Sequence, residues 1–330
     1  MPKMRRRASR GGRNAIVHWR LDGATPARQL LVAFHHPDSL FARPGELWTQ
    51  QTPNGIGYAL LSSDGGAAYL RGEGLARDFR PQPFVDRIEI RTGTKTRLFT
   101  SAGDSYERIV APLNADFSAA IVSRESPTEV EQYYHRDLSS GAEVKLTNNR
   151  DYAPEITNAQ KQMIQVSRPD GYRFWVNVTL PQDWKPGTRL PAIFWFYPRE
   201  YTDQDEYDEG FQSYNKNDFP GVGARSMDIL TLLGYAVVEP DLPIVGPEGQ
   251  MNDEYPHDLR TTLSAVIDTV SARGWVDRNR LGLGGHSYGA FGTANPIHAL
   301  GRAIAIFDAR ADAFTRAGPP PSAARRRTSE

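Results

Sequence analysis

The stretch Gly285-His286-Ser287-Tyr288-Gly289 constrains this chain more than any other, because it follows directly on the short strand-like run Arg280 to Gly284. A strand that runs into G-x-S-x-G and then into a helix must turn sharply at the serine. Glycines suit the flanking places because a side chain there would strike the neighbouring strand or helix. The turn lifts Oγ of Ser287 out of the sheet, and the N-terminus of the next helix points N–H groups at charge developing beside it. The pattern alone is weak, and the order strand, motif, helix is what gives it force. A nucleotide loop is the competing reading, since Gly282-Leu283-Gly284 opens like G-x-G-x-x-G. Against it, the last position is Ser287 and the strand is not the first of its domain.

Upstream of the motif the chain alternates strands with helices. Pro169-Asp170-Gly171 reads as a turn, and Phe174, Val176, Val178 and Leu180 then alternate with polar residues, as in a half-buried strand. Leu190 to Tyr197 is almost wholly apolar, as a strand covered on both faces would be. Tyr235 to Pro240 is a further short buried strand. Leu259, Leu263, Val266, Ile267 and Val270 make one apolar helix face, which Arg273-Gly274 closes. This succession predicts a mostly parallel sheet with helices against it.

The first half is different. Leu60 to Arg71 matches Pro112 to Arg124, with Asp64 and Asp116 at one offset and Ala67-Ala68 and Ala119-Ala120 at the same one. Arg91 to Phe99 then matches Ser139 to Thr147, with Gly93 and Gly141 in equivalent places. A period near ~50 residues with glycine-bearing hairpins is what one propeller blade produces. A β-sandwich could share the turn chemistry, but the two matches recur in the same order, which favours blades. Two to three blades fit before residue 160, fewer than the roughly 4 to 8 that close a ring.

Composition excludes several classes. Lysine plus arginine equals aspartate plus glutamate at 39 each, so no global field draws the chain to nucleic acid or membrane. With no cysteine, disulfides, thiolate catalysis and cysteine zinc sites are all out. The histidines, His35-His36 included, lack metal-ligand spacing and read as surface loop residues; no cofactor or metal is implied. No apolar run approaches the roughly 20 residues that span a bilayer. Met1 to Arg13 is arginine-rich without a following apolar segment, so no targeting signal is visible and the compartment stays open, as does the oligomeric state.

Val276 to Phe291, which contains the motif, resembles the nucleophile region of the prolyl oligopeptidase family of serine peptidases. Leu190 to Glu200 is similar to the strand that ends in that family's oxyanion tyrosine. Tyr197-Pro198-Arg199-Glu200, Leu242 to Gly246, Tyr69 to Gly74 and Pro83 to Arg87 resemble the glutamyl endopeptidase branch most. The resemblance runs over about residues 50 to 295 and implies a β-propeller followed by an α/β-hydrolase domain. The organisation expected is a partial all-β propeller over 1–165, the N-terminal part of the hydrolase domain over 166–295, and a divergent, disordered or frameshifted tail over 296–330.

The resemblance also implies roles. Ser287 would be the nucleophile, and the backbone N–H of Tyr288 with the hydroxyl of Tyr197 would hold the oxyanion. Without the resemblance, Tyr197 would read as an ordinary aromatic at a strand end. His286 would point away and be structural.

A serine nucleophile needs a histidine base oriented by a carboxylate, in the order serine, acid, histidine in this fold. The one histidine after Ser287, His298, falls on the helix leaving the elbow and reads as structural. Asp308 and Asp312 come too early for the acid, with no histidine beyond them. Pro296 interrupts the expected helix. The expectation is therefore a serine endopeptidase by descent, acting on peptides or proteins through an acyl-enzyme, truncated at both ends and inactive as written. An esterase on the same fold and a non-catalytic propeller binding module are the alternatives.

Overall fold

The computed structural model describes residues 4–10, 13–20, 27–35, 41, 43–210, 214–223, 226–294 and 305–308. The chain forms two units: Met1–Tyr152 with Asp208–Gly221, and Ala153–Tyr207 with Val222–Glu330.

The first unit is all antiparallel sheet. β1 (Met4–Arg10), β2 (Arg13–Arg20) and β3 (Ala27–His35) make a three-stranded sheet. His35 therefore ends a strand, whereas His36 lies outside the described residues. β4 (Glu46–Leu47) pairs with β7 (Ala67–Gly72), which continues to β8 (Phe84–Glu89) and β9 (Lys95–Thr100). A small hairpin of β5 (Thr49–Gln51) and β6 (Gly57–Ala59) interrupts this second sheet. The third sheet runs in simple order through β10 (Tyr106–Pro112), β11 (Ala119–Ser126), β12 (Glu129–Asp137) and β13 (Glu143–Lys145).

The repeat seen in the sequence is a repeat of hydrogen bonding. Gly93 has φ 75° and donates to Glu89 O at 2.8 Å; Gly141 has φ 76° and donates to Asp137 O at 2.9 Å. Glu89 N–H to Thr94 O and Asp137 N–H to Ala142 O complete the same hairpin at 2.9 and 2.8 Å. Only a residue tolerant of positive φ closes this turn, which is why glycine occupies both places. Ala67, Ala68 and Ala120 are fully buried. Ile16, Leu31, Val32, Leu47, Leu70 and Ile88 form one apolar cluster, and Trp48, Tyr69, Val85, Ile109, Phe117 and Val122 belong to another. None of the described sheets closes into a barrel.

The second unit holds α1 (Pro154–Thr157) and a six-stranded sheet: β14 (Gln160–Ser167), β15 (Arg173–Leu180), β16 (Leu190–Tyr201), β17 (Ala236–Val245), β18 (Val276–Gly285) and β19 (Ala305–Asp308). Their order is β14-β15-β17-β16-β18-β19. β17, β16, β18 and β19 are parallel, while β15 lies antiparallel between β14 and β17. This unit begins ahead of the expected boundary at 165/166, because β14 pairs along its length with β15. Within the expected tail, Ala305–Asp308 pairs with β18; Pro296, His298 and Asp312 lie outside the described residues.

The alternation expected over Phe174 to Leu180 is real, and all four apolar side chains are buried. They join Phe194, Phe196, Val238 and the apolar face of α3 (Tyr255–Ala272) in the core. Gly274, at φ 76°, follows the end of α3. Two short elements fall between β16 and β17: α2 (Gln204–Glu209) and the 3-10 helix Met227–Leu233. No described helix is long and apolar enough to cross a membrane.

Candidate active site

β18 ends at Gly285, the chain turns at Ser287, and α4 (Tyr288–Ala294) begins at once. Ser287 has φ 54°, one of three non-glycine residues in the left-handed region among those described. An L-residue with a side chain pays roughly 1–2 kcal/mol for that conformation, which persists only where its surroundings fix it. The N–H of Gly289 donates to His286 O at 2.8 Å, and that of Phe291 to Ser287 O at 3.1 Å.

The flanking glycines are dictated by Phe196 on β16, which pairs with Gly285. A Cβ on Gly285 would lie 2.6 Å from Phe196 O and 2.6 Å from the carbonyl carbon of Gly289. A Cβ on Gly289 would overlap Phe196 O outright. Gly292 is a third close approach that sequence reasoning missed: its Cβ would sit 3.0 Å from Tyr255 Oη and 3.1 Å from the Phe196 ring. Its spacing of three from Gly289, on one helix face, was the available signal.

Ser287 and His286 are both exposed. Tyr197, 46% exposed, stands on β16 one residue beyond the Phe196–Gly285 pair. Its ring meets that of Tyr288 edge to face, with centroids 6.1 Å apart and an interplanar angle of 76°. The structure thus brings Ser287, Tyr288 and Tyr197 together at the carboxyl ends of adjacent parallel strands, where open α/β sheets carry their sites. As the first residue of α4, Tyr288 has no carbonyl one turn back for its N–H. Among the described residues no histidine hydrogen-bonds Ser287, and Asp308 ends β19 opposite Gly285 in register.

Five further residues hold this corner. The Tyr288 hydroxyl donates to Asn252 Oδ1 at 2.9 Å and approaches Glu200 Oε1 at 3.3 Å. Burial, and after it the Glu200 charge, pushes that phenol up to about 12. Tyr255 stacks on Tyr288 at 5.4 Å, and Phe291 stacks on Tyr288 at 6.1 Å. The Tyr255 hydroxyl is buried without a hydrogen-bond partner, and burial raises its pKa. The Arg199 guanidinium lies 5.8 Å from the centre of the Tyr197 ring. Glu200 and Phe291 stand inside the recognisable segments, but nothing in the sequence singles out Asn252 or Tyr255, which arrive from another loop and from α3.

A serine at φ 54° in a strand-to-helix turn stands beside two tyrosines, and the chain belongs to the glutamyl endopeptidase branch of the prolyl oligopeptidase-like peptidases. No family model matches it. It is 30% identical over 304 residues to a probable chloroplastic glutamyl endopeptidase of Arabidopsis thaliana, a match covering 86% of this chain and 31% of that protein. It is 32% identical over 251 residues to the probable chloroplastic glutamyl endopeptidase of Oryza sativa subsp. japonica, covering 72% of this chain and 26% of that protein. The resemblance to the glutamyl endopeptidase branch read from Tyr197 to Glu200, Leu242 to Gly246, Tyr69 to Gly74 and Pro83 to Arg87 is borne out, and the matches span about a quarter to a third of these relatives' length. Among solved structures, oligopeptidase B from Trypanosoma brucei with covalently bound antipain matches with TM-score 0.52 and 12% identity, over 92% of this chain and 42% of that one. The apo AtxE2 isopeptidase matches with TM-score 0.51 and 17% identity, over 92% and 42%. These two likenesses concern the fold.

Proposed function

We propose that this chain carries the nucleophile-bearing part of a serine endopeptidase of the prolyl oligopeptidase family, with propeller blades preceding an α/β-hydrolase domain. The observation that carries the reading is Ser287 at φ 54°, between two glycines that Phe196 O leaves no room to replace. Oγ of Ser287 adds to the scissile carbonyl while its proton passes to a base. The N–H of Tyr288 and the hydroxyl of Tyr197 hold the resulting oxyanion. Collapse expels the amine, which takes up a proton, and leaves an acyl ester on Ser287; water then adds in the same way and releases the acid. Cleavage after glutamate is carried over from the names of the relatives.

No described residue is assigned the base, so the chain alone is expected to hydrolyse peptides very slowly. A nucleophile site stripped of its base retains roughly 10³–10⁴-fold acceleration over water. The test supplies the base from outside: release of p-nitroaniline from an acyl-peptidyl-glutamyl p-nitroanilide, measured against imidazole concentration. Release should rise with imidazole, disappear in Ser287→Ala, and fall on the order of 10²-fold in Tyr197→Phe. Imidazole-dependent release that survives Ser287→Ala would sink the proposal. Turnover of short acyl esters with no anilide release would favour an esterase instead.

A further inference from the structure

The first unit holds a cavity of about 1120 Å³ that no step assigned to Ser287 uses. Small-molecule sites run to roughly 300–1,000 Å³, so this one has room for several residues of an extended chain. Its apolar wall is Trp48, Phe84, Phe99 and Ile109. Arg108–Val110 of β10, which is the edge of its sheet, line it without a break. Successive side chains of a strand point to opposite faces, so an unbroken run lines a space by turning its main-chain edge toward it. An exposed strand edge is what an added peptide strand pairs with.

One charge in this cavity stands apart. Arg108 Nη2 meets Glu131 Oε1 at 3.1 Å, and the other Glu131 oxygen accepts from Tyr133 Oη at 3.0 Å. Glu73 accepts from Tyr106 Oη at 2.9 Å. Arg71, by contrast, has no ion pair and no side-chain hydrogen bond among the described residues, and Glu46, opposite it in register, does not reach it. Its guanidinium lies over the buried Trp48 ring, 5.2 Å from the centre. The backbone beneath it is pinned from two sides. A Cβ on Gly45, at φ 91°, would lie 2.8 Å from Arg71 O, and one on Gly72 would overlap the Phe84 ring. A guanidinium laid on an indole keeps its N–H edge free, and that planar fork fits a carboxylate.

We propose that this cavity binds an extended peptide segment bearing a glutamate or aspartate, with its main chain along the edge of β10 and its carboxylate on Arg71. A single carboxylate fits better than a row of phosphates, because Glu46, Glu73 and Glu131 line the same space and repel a polyanion. The site lies wholly within the first unit, so it is independent of the acyl transfer proposed at Ser287 and of its test.

The experiment is fluorescence anisotropy of a labelled, blocked alanine nonapeptide with one central glutamate, compared with its glutamine twin. The full chain carries Ser287→Ala so that neither peptide can be cleaved. The glutamate peptide should bind about ten- to a hundredfold more tightly. Arg71→Met should erase that preference, and Arg71→Lys should retain only part of it. Glu46→Gln, which removes a neighbouring carboxylate, should tighten binding, a gain that misfolding cannot imitate. In hydrogen exchange the bound peptide should slow the amides of Arg108–Val110 and leave those of β15 unchanged. Equal affinity for the two peptides, or none for either, would overturn the proposal. So would a preference that survives Arg71→Met, or free glutamate displacing the peptide at equal concentration.

Discussion

Arg168 and Asp258 form a buried ion pair, with Nη1 and Oδ1 3.0 Å apart and side chains only 4% and 5% exposed. The other Asp258 oxygen accepts from the Val245 N–H at 2.6 Å, so this contact ties the turn after β14, the first turn of α3 and the end of β17. Asp258→Ala takes the acceptor from the Val245 N–H at the end of β17 and leaves Arg168 with the Asp170 carboxylate alone, which its Nε reaches at 3.1 Å. It should cost on the order of 2–3 kcal/mol in urea unfolding, less than a buried charge left wholly unpaired. A loss below ~1 kcal/mol for the single variant would show the pair to be screened.

The elbow predicts opposite signs at neighbouring positions. Ser287→Gly relieves a side chain from φ 54° and should raise stability by about 1 kcal/mol. Gly289→Ala forces a methyl into Phe196 O and should lower it by roughly 1–3 kcal/mol. Thermal unfolding of the two variants reads both signs in one experiment, and equal shifts would contradict the geometry.

Glu239 on β17 links stability to pH. Burial, and then Asp228, raises its carboxyl to about 7 despite Lys161. Lys161 Nζ is committed to Asp228 Oδ2 at 2.9 Å, while Asp228 Oδ1 is buried without a hydrogen-bond partner. Asn177, opposite Glu239 in register, also has a buried Oδ1 without one. The folded state keeps the Glu239 proton that the unfolded chain gives up near 4.5, so stability falls as pH rises from there to about 7. The loss should reach at most ~3 kcal/mol. Urea midpoints between pH 4 and 8 should fall in the natural chain and flatten in Glu239→Gln.

The two blade-like hairpins should respond alike. A Cβ on Gly141 meets nothing within 4 Å, and one on Gly93 makes only ordinary contact with Leu31 O at 3.7 Å. Alanine at either place therefore costs conformation alone, about 1 kcal/mol each. Clearly unequal costs in chemical unfolding would mean that the repeat is one of sequence without one of structure.

Where the backbone leaves no choice of residue, the sequence was readable. Gly93 and Gly141 announce the hairpins through their positive φ, and Gly285 and Gly289 announce the elbow through contact with β16. Phe174 to Leu180 declares its strand because one face must be apolar. The polar network around Tyr288 was hidden for the opposite reason: Asn252, Glu200 and Tyr255 meet only after three separate segments converge. Asn217 was hidden still more deeply. It stands in a polar run that reads as loop, and its burial depends on carbonyls at Gly103 and Ser105, far back in the chain. The offset between the matching segments offered one clue. It is smaller for Gly93 and Gly141 than for Asp64 and Asp116, because between β7 and β8 the first repeat is longer and carries the Phe79–Arg80 turn, whose Phe79 O accepts from the Lys216 N–H and whose Arg80 side chain donates to Asn217.

That a stretch beyond Tyr207 completes the first unit bears on the order in which this protein is made. A ribosome releases chain at roughly 5–20 residues per second, so Met1–Tyr152 waits several seconds before Asn217 emerges. During that interval the carbonyls of Gly103 and Ser105 and the guanidinium of Arg80 stand open to water or to any other polar segment that reaches them. The first unit is completed only after the Ala153–Tyr207 part of the second has been synthesised.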